Sequence, residues 1–339
     1  MKSLKMGTMN KVFIIAEIGN NHEGDLELAK KLIKAAAKSG VDAVKFQTIR
    51  PRHLINQEDI IRYNQLKKFE LSFNDYQILN EVAQNEGVEF MSTPFDLESA
   101  SFLNNYVSVF KIASGDNDFF PLIEKISSFG KPIILSTGMA EIPDIKKTVN
   151  FIKENWEKSK IIGEISLLHC VSNYPTNPED ANLTRINLLR MSFPDCTIGY
   201  SDHTLGILAS ISAVALGARI IEKHFTLDKN YSSFRDHALS ADPSEMMELV
   251  KSIREVEMMI RKSQKIVLNK DRYIVSRRSI AINKNMKKGE ILNTENLCWV
   301  RPGVGFRPGE ENKVLGKMLI KDIKARTILT KSDFKKFKT

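Results

Sequence analysis

Residues 12–48 read VFIIAEIGNNHEGDLELAKKLIKAAAKSGVDAVKFQT. The stretch opens on one apolar run, Val12–Gly19, and closes on another, Ala43–Thr48. Neither alternates apolar with polar residues, which is how a strand buried on both faces reads. Between them, Leu26–Ser39 repeats apolar residues at i, i+3 and i+4 and stops at Gly40, as an amphipathic helix does.

Outward from this unit the alternation continues. Six more apolar runs fall at Glu89–Pro94, Val109–Ser114, Pro132–Thr137, Ile165–Cys170, Thr197–Ser201 and Arg219–Thr226. Helical patterns fall at Asn74–Asn85, Phe120–Ser128, Ile142–Trp156, Thr204–Leu216 and Ser244–Ile260. Eight strands alternating with helices predict an α/β fold, a (β/α)8 or TIM barrel. The alternative, an open doubly wound sheet, needs a glycine-rich phosphate turn after an early strand, and Gly19-Asn20-Asn21-His22 is not one. Residues 49–73 read as an irregular loop between the second and third strands, a place for a lid or a binding loop. Helical periodicity ends in polar residues near Gln264–Tyr273. The expected organisation is a barrel over 1–265, a linker over 266–275 and a second domain over 276–339. That tail has short β-like runs with turns at Lys287–Glu290 and Arg301–Gly303.

Composition agrees with a globular chain. Of 339 residues, 42% are hydrophobic, which excludes global disorder. No run of 18 apolar residues is present, so no transmembrane helix and no membrane partner is expected. Met1–Met9, with Lys2 and Lys5, does not lead into a signal peptide. Three widely spaced cysteines, Cys170, Cys196 and Cys298, fit a reducing cytoplasm and no disulfide framework. The net charge of +9 raises nucleic acid as a partner, but its distribution argues otherwise. Residues 266–339 hold 18 Lys and Arg against 7 Asp and Glu, and the remainder is slightly acidic. The excess is expected to draw anions to the active-site mouth or to dock the tail on a barrel.

In barrel enzymes the chemistry lies where strands end at their carboxyl face. Here every strand ends in polar residues. Lys45 and Lys111 sit inside apolar runs, AVKFQT and VFKIAS, where an ammonium needs an anion or shifts its pKa. With Thr93, Ser114, Ser136 and Ser201 they suit a phosphate and a carboxylate. Each could instead pair with a carboxylate such as Glu17, or serve as a Schiff-base lysine. Glu17 itself reads equally as a general acid or base and as a counter-ion. His203 and His224 end neighbouring strands about 4.8 Å apart, so together they could bind one divalent metal. A lone histidine there would more often be a core residue. His22, His53, His169 and His237 have no such pairing.

These residues bring a family into view. From about Val12 to Phe334 the chain resembles the N-acetylneuraminate (sialic acid) synthase family, legionaminic acid synthase-like members included. The segments are AEIGNNHEG (16–24), VKFQT (44–48), STPFD (92–96), FKIASGD (110–116), GKPIILSTGM (130–139), LLHCVSNYPT (167–176), GYSDHTLG (199–206), ALGARIIEKHFTLD (215–228) and RPGVG (301–305). The tail resembles the small antifreeze-like (SAF, β-clip) domain of that family. The resemblance implies an enzyme that condenses phosphoenolpyruvate with an N-acylated mannosamine-type sugar. The product is a nine-carbon 2-keto acid, and phosphate leaves by C–O cleavage. It also implies a divalent metal, manganese first with magnesium or cobalt as alternatives, and a domain-swapped homodimer.

Residue by residue, the resemblance places His203 and His224 on the metal and Glu17 on acid/base work. Lys45, Thr93, Lys111, Ser114, Ser136 and Ser201 fall on phosphoenolpyruvate. Ser172 stands where some members have asparagine. Gln47, Tyr174, Glu222 and Asp236 fall around the sugar, with Arg301 reaching its N-acyl group from the partner's tail. Two segments depart from the family: residues 48–72, and Phe234-Arg235-Asp236-His237 in place of a Gly-Pro-Asp-His stretch. Both lie near the sugar. A legionaminic acid synthase using a 2,4-diacetamido-trideoxyhexose is therefore the alternative to an N-acetylneuraminate synthase. A pseudaminic acid synthase is the less expected reading, because those enzymes tend to lack the NHEG and STPFD wording. From other classes stand a Schiff-base aldolase and a carbohydrate-binding protein without catalysis.

Overall fold

The structure, a computed structural model, describes residues 11–232, 234–260 and 270–335. The chain divides into two compact units, residues 1–261 and 262–339. Met1–Met9 and residues 266–269 of the linker expected over 266–275 lie outside the described residues. Where that linker is described it is helical, from Lys270 to Ser276.

The first unit is a barrel. Its strands are β1 (Phe13–Gly19), β2 (Ala43–Thr48), β3 (Glu89–Pro94), β4 (Phe110–Ile112), β5 (Ile133–Ser136), β6 (Ile165–Cys170), β7 (Thr197–Asp202) and β8 (Ile220–His224). They order as β3-β2-β1-β8-β7-β6-β5-β4 in one parallel sheet. The first strand pairs with the last, Phe13 opposite Ile220 and Glu17 opposite His224. β3 and β4, at the two ends of that order, lie side by side and nearly close the ring. The fold is thus the expected (β/α)8 barrel rather than an open sheet. β4 is shorter than the run Val109–Ser114, because Ser114–Asp116 turns into a short 3-10 helix.

Successive side chains on a strand point to opposite faces. Ile14, Val44, Phe90, Leu167 and Ile221 pack outward into the main core shared with the helices. Phe13, Ile15, Ala43, Met91, Val109, Ile134, Leu168 and Ile220 point inward and form the barrel's apolar floor. At the inward position of β7 stands Gly199. A Cβ there would lie 2.5 Å from both the Ile220 carbonyl oxygen and Leu168 Cδ2, so only glycine fits. Two residues beyond the floor, the same alternation turns Glu17, Lys45, Thr93, Lys111, Ser136, Cys170, Ser201 and Glu222 into the barrel mouth. The outward neighbours Asp202 and Lys223 are register partners, fully buried, with Nζ 3.3 Å from Oδ2. Asp202 also accepts from the Thr204 amide and hydroxyl, both at 2.8 Å, and from Ser210 Oγ at 2.6 Å.

The helices follow their apolar stripes. In Leu26–Lys38, Leu28, Ala29, Leu32, Ile33 and Ala36 are buried, Asp25 caps the first turn and Gly40 leaves the helix at φ 85°. Phe73–Asn85 opens on a capping box of Ser72 and Asp75. Residues 49–73 are not an irregular loop. They contain helices Pro51–Leu54 and Ile60–Lys68, the second with Leu66 as its one buried residue. A helix with a single buried side chain leaves no apolar period to read. The structure adds short helices at Leu97–Leu103 and Arg185–Ser192, and the helix expected from Thr204 begins at Leu208.

The second unit pairs β9 (Ser279–Ile282) with β10 (Leu297–Val300), antiparallel. Isolated bridges such as Met286 with Ile323 and Leu319 with Phe334 complete it. Ile280, Ile282, Leu297, Val314, Leu329 and Phe334 form its own core. Among the described residues, no helix is long and apolar enough to cross a membrane.

Candidate active site

The inward residues of the mouth enclose a cavity of about 850 Å³. It brings together Glu17, Lys45, Gln47, Thr93, Lys111, Ser114, Ser136, Ser172, Tyr174, Ser201, His203, Glu222, His224 and Asp236. Arg301 is exposed and belongs to the other unit.

Lys45 is the hub. Its Nζ lies 2.6 Å from Glu17 Oε2 and 3.5 Å from Glu222 Oε2, and donates to Thr93 Oγ1 at 3.2 Å. Gln47 Nε2 donates to Glu17 Oε1 at 3.1 Å, and Asn20 Nδ2 holds Gln47 Oε1 at 3.0 Å. Lys111 differs. It donates to Ser136 Oγ at 2.6 Å and to the Ile112 carbonyl at 2.9 Å, with no ion pair among the described residues.

Two carboxylates therefore share one ammonium, and their titrations split. Burial pushes Glu17 up to about 7, with Glu222 adding to the rise and Lys45 opposing it. Burial also works to raise Glu222. There Lys45, Lys111 and the Ser201 hydroxyl, which donates at 2.8 Å, prevail and hold its carboxyl well below the usual range. Burial depresses both lysines, but Glu17 and Glu222 overcome it at Lys45 and raise that pKa. Lys45 thus stays an ammonium, which makes it a poor Schiff-base nucleophile. Lys111 is lowered by its burial.

His203 and His224 approach with ring centroids 5.5 Å apart, and Tyr174 packs 4.1 Å from the first and 6.1 Å from the second. His203 Nδ1 lies 2.6 Å from the Val171 carbonyl oxygen. A neutral ring donating there keeps its lone pair on Nε2, the arrangement of a metal-ligating histidine. His224 Nδ1 is buried without a hydrogen-bond partner. Burial lowers both pKa values, so both rings are neutral near pH 7. The pair fits a divalent cation on these grounds.

A second group, His53, Asp96 and Glu98, brings three ligand atoms within 4.8 Å of one another and is a candidate divalent-metal site as well. Its donors are more committed. Arg52 lies 2.7 Å from Glu98, and Asp96 caps a helix by accepting from the Ser99 amide at 2.8 Å and Ser99 Oγ at 2.6 Å.

Just past the ends of β4, β5 and β6 is a nest of small polar groups. Ser114 Oγ accepts from the Gly138 amide at 3.2 Å and contacts Cys170 Sγ at 3.0 Å. A Cβ on Gly138 would come within 2.7 Å of both Ser114 Oγ and Ser172 Oγ, so the glycine keeps this nest open. Cys170 and Asn20 line the cavity and were not singled out from the sequence. Counting two residues past Leu168 would have found Cys170. Arg62, Gln65, Leu66 and Phe69 also line it, from the segment expected to supply a lid or binding loop, though none of the four stood out individually.

A buried set of ammonium, carboxylate and hydroxyl groups at a barrel's carboxyl face, beside two neutral imidazoles, defines an enzyme of the barrel class that handles an anionic substrate. Residues 32–265 match the NeuB family, and residues 277–335 match the SAF domain. The chain belongs to the NeuB family, and so to the enzymes that form a C–C bond by condensing phosphoenolpyruvate with an aminosugar. It is 40% identical to the N,N'-diacetyllegionaminic acid synthase of Legionella pneumophila, over 95% of this chain and 94% of that protein. It is 39% identical to the pseudaminic acid synthase of Campylobacter jejuni, over 98% of this chain and all of that protein. Among solved structures it is similar to the N-acetylneuraminic acid (sialic acid) synthetase of Leptospira borgpetersenii, in complex with citrate. There the TM-score is 0.73 and the identity 35%, covering 79% of this chain and 93% of that one.

Proposed function

We propose that the chain condenses phosphoenolpyruvate with a 2,4-diacetamido-trideoxyhexose of the mannosamine type, giving a legionaminic acid-type nonulosonate and inorganic phosphate. The observation that carries the condensation is the split pair of carboxylates on Lys45. One remains an anion and the other titrates near neutrality, in the cavity that Ser114 and Ser172 also line. The Legionella relative and the two segments that depart from the N-acetylneuraminate wording support this acceptor.

In this reading Lys111, Ser136, Ser114, Ser172 and the Gly138 amide hold the phosphate and carboxylate, aided by Lys45, Thr93 and Ser201. The enol carbon C3 attacks the sugar's C1 aldehyde, C2 becomes electron-poor and water adds there. Glu17, ionised in part at neutral pH, takes the proton that this water loses. The tetrahedral carbon then releases phosphate by breaking C2–O. Glu222 stays ionised and offsets the positive charge at C2. Gln47, Tyr174 and Asp236 orient the sugar. A divalent cation, manganese before magnesium or cobalt, held by His203 and His224, supplies polarisation of the sugar carbonyl. We further propose that Arg301 reaches the sugar's N-acyl group from the partner of a domain-swapped homodimer.

The test is a phosphate-release assay with phosphoenolpyruvate and Mn2+. It compares 2,4-diacetamido-2,4,6-trideoxymannose with N-acetylmannosamine. The diacetamido sugar should give the higher kcat/KM, and EDTA should stop release. Faster turnover of N-acetylmannosamine would overturn the acceptor, and release that ignores EDTA would overturn the role of the metal.

A further inference from the structure

We infer that one face of helix Ile60–Lys68 selects the acceptor by recognising its second acylamino group. This rests on the proposed function above. Arg62, Gln65, Leu66 and Phe69 all line the cavity. Their spacing, i, i+3, i+4 and i+7, is one face of a helix. The opposite side points away, with Ile60 64% exposed.

The face is firmly seated. Arg50, at the start of the excursion, donates to Glu70 Oε1 at 2.9 Å and to the Leu71 carbonyl at 2.8 Å near its end. Its guanidinium also lies 4.0 Å over the Phe73 ring. The Lys68 carbonyl oxygen packs so close to Gly24 that a Cβ there would sit 2.1 Å away. The Phe69 ring packs at a tilt, with its centroid 4.9 Å from that of Phe234, which lies in the loop after β8. The two segments that depart from the family wording therefore meet each other over the cavity.

The chemistry of the face is donor plus apolar. Arg62 donates to Gln65 Oε1 at 2.7 Å, which leaves the Gln65 amide hydrogens and the remaining guanidinium N–H groups for a ligand. Leu66 and Phe69 add apolar surface beside them. An acetamido group matches both halves, since its carbonyl accepts and its methyl packs. The hydroxyl of plain N-acetylmannosamine at that position offers no methyl. A phosphate would use the arginine but not the apolar half.

The experiment measures kcat/KM in the full-length protein for 2,4-diacetamido-2,4,6-trideoxymannose, N-acetylmannosamine and N-acetylmannosamine 6-phosphate. Wild type is compared with Arg62→Ala and Gln65→Ala, both at exposed positions that the fold tolerates. Each variant should lose about tenfold with the diacetamido sugar, mainly through KM. N-acetylmannosamine and the KM for phosphoenolpyruvate should change by less than about twofold. If wild type prefers the diacetamido sugar and both variants keep that preference, the inference falls while the proposed function stands. Loss confined to the 6-phosphate sugar overturns it too, by making the face a phosphate site. A wild type that prefers N-acetylmannosamine overturns both.

Discussion

The floor and the mouth of this barrel are built by the same eight strands, two residues apart, and are almost equally buried. Ile15 is 0% exposed and Glu17 2%; Ala43 is 0% and Lys45 3%. The chemistry is opposite. Each large floor side chain contributes roughly 1.5–3 kcal/mol by leaving water. The mouth places two lysines and two glutamates at the same depth, where pairing offsets desolvation at best. Burial alone therefore says little. The floor holds the barrel together, and the mouth is a polar set that the floor keeps dry and in place.

The largest effect that would break this contrast is at the histidines. His224→Ala should lower turnover on the order of a thousandfold with the fold intact. Circular dichroism together with phosphate release decides it, and wild-type turnover would remove the metal assignment. Glu17→Gln should lose at least about a hundredfold in kcat while its urea midpoint stays level or rises. A large drop in stability would make Glu17 a structural residue. Leu168→Ala should do the reverse. It should cost about 2–5 kcal/mol in urea unfolding and leave both KM values unchanged.

A smaller effect concerns pH. Glu17 has a folded pKa near 7, above its unfolded value of 4.5, so between these limits the folded state binds the extra proton. Its contribution must grow as pH falls from about 7 toward 4.5 and vanish in the Glu17→Gln variant. His203 and His224 oppose it, since their lowered pKa values mean that stability is lost as pH falls below 6.5. Comparing the stability of wild type and Glu17→Gln at pH 5 and pH 7.5 isolates the carboxyl. The difference should favour wild type more at pH 5. The smallest effect is expected at Arg301→Ala, about tenfold in sugar KM with the phosphoenolpyruvate KM unchanged.

The barrel was legible because its strands are buried on both sides and so read as continuous apolar runs. Their charged residues stood out for the same reason, as with Lys45 in AVKFQT. What escaped has its own physics. Helix Ile60–Lys68 buries only Leu66, so its hydrophobic period is too weak to show, and its cavity face is half polar. Cys170 sits among hydroxyls as a small thiol with no charge to draw notice. Lys223 reads as one more lysine beside His224, and only the register reveals that it is fully buried opposite Asp202.

That pair has a consequence for strand alignment. If β8 slipped one residue against β7, every side chain on it would exchange faces. Lys223 would enter the cavity, while Glu222 and His224 would turn toward the helices. Asp202, already holding Thr204 and Ser210, would be left as an uncompensated charge in a dry layer. The pair thus acts as a key that fits the lock in only one position. Its effect is felt one residue away, where it makes the inside-out version of the catalytic mouth the least stable way to close the ring.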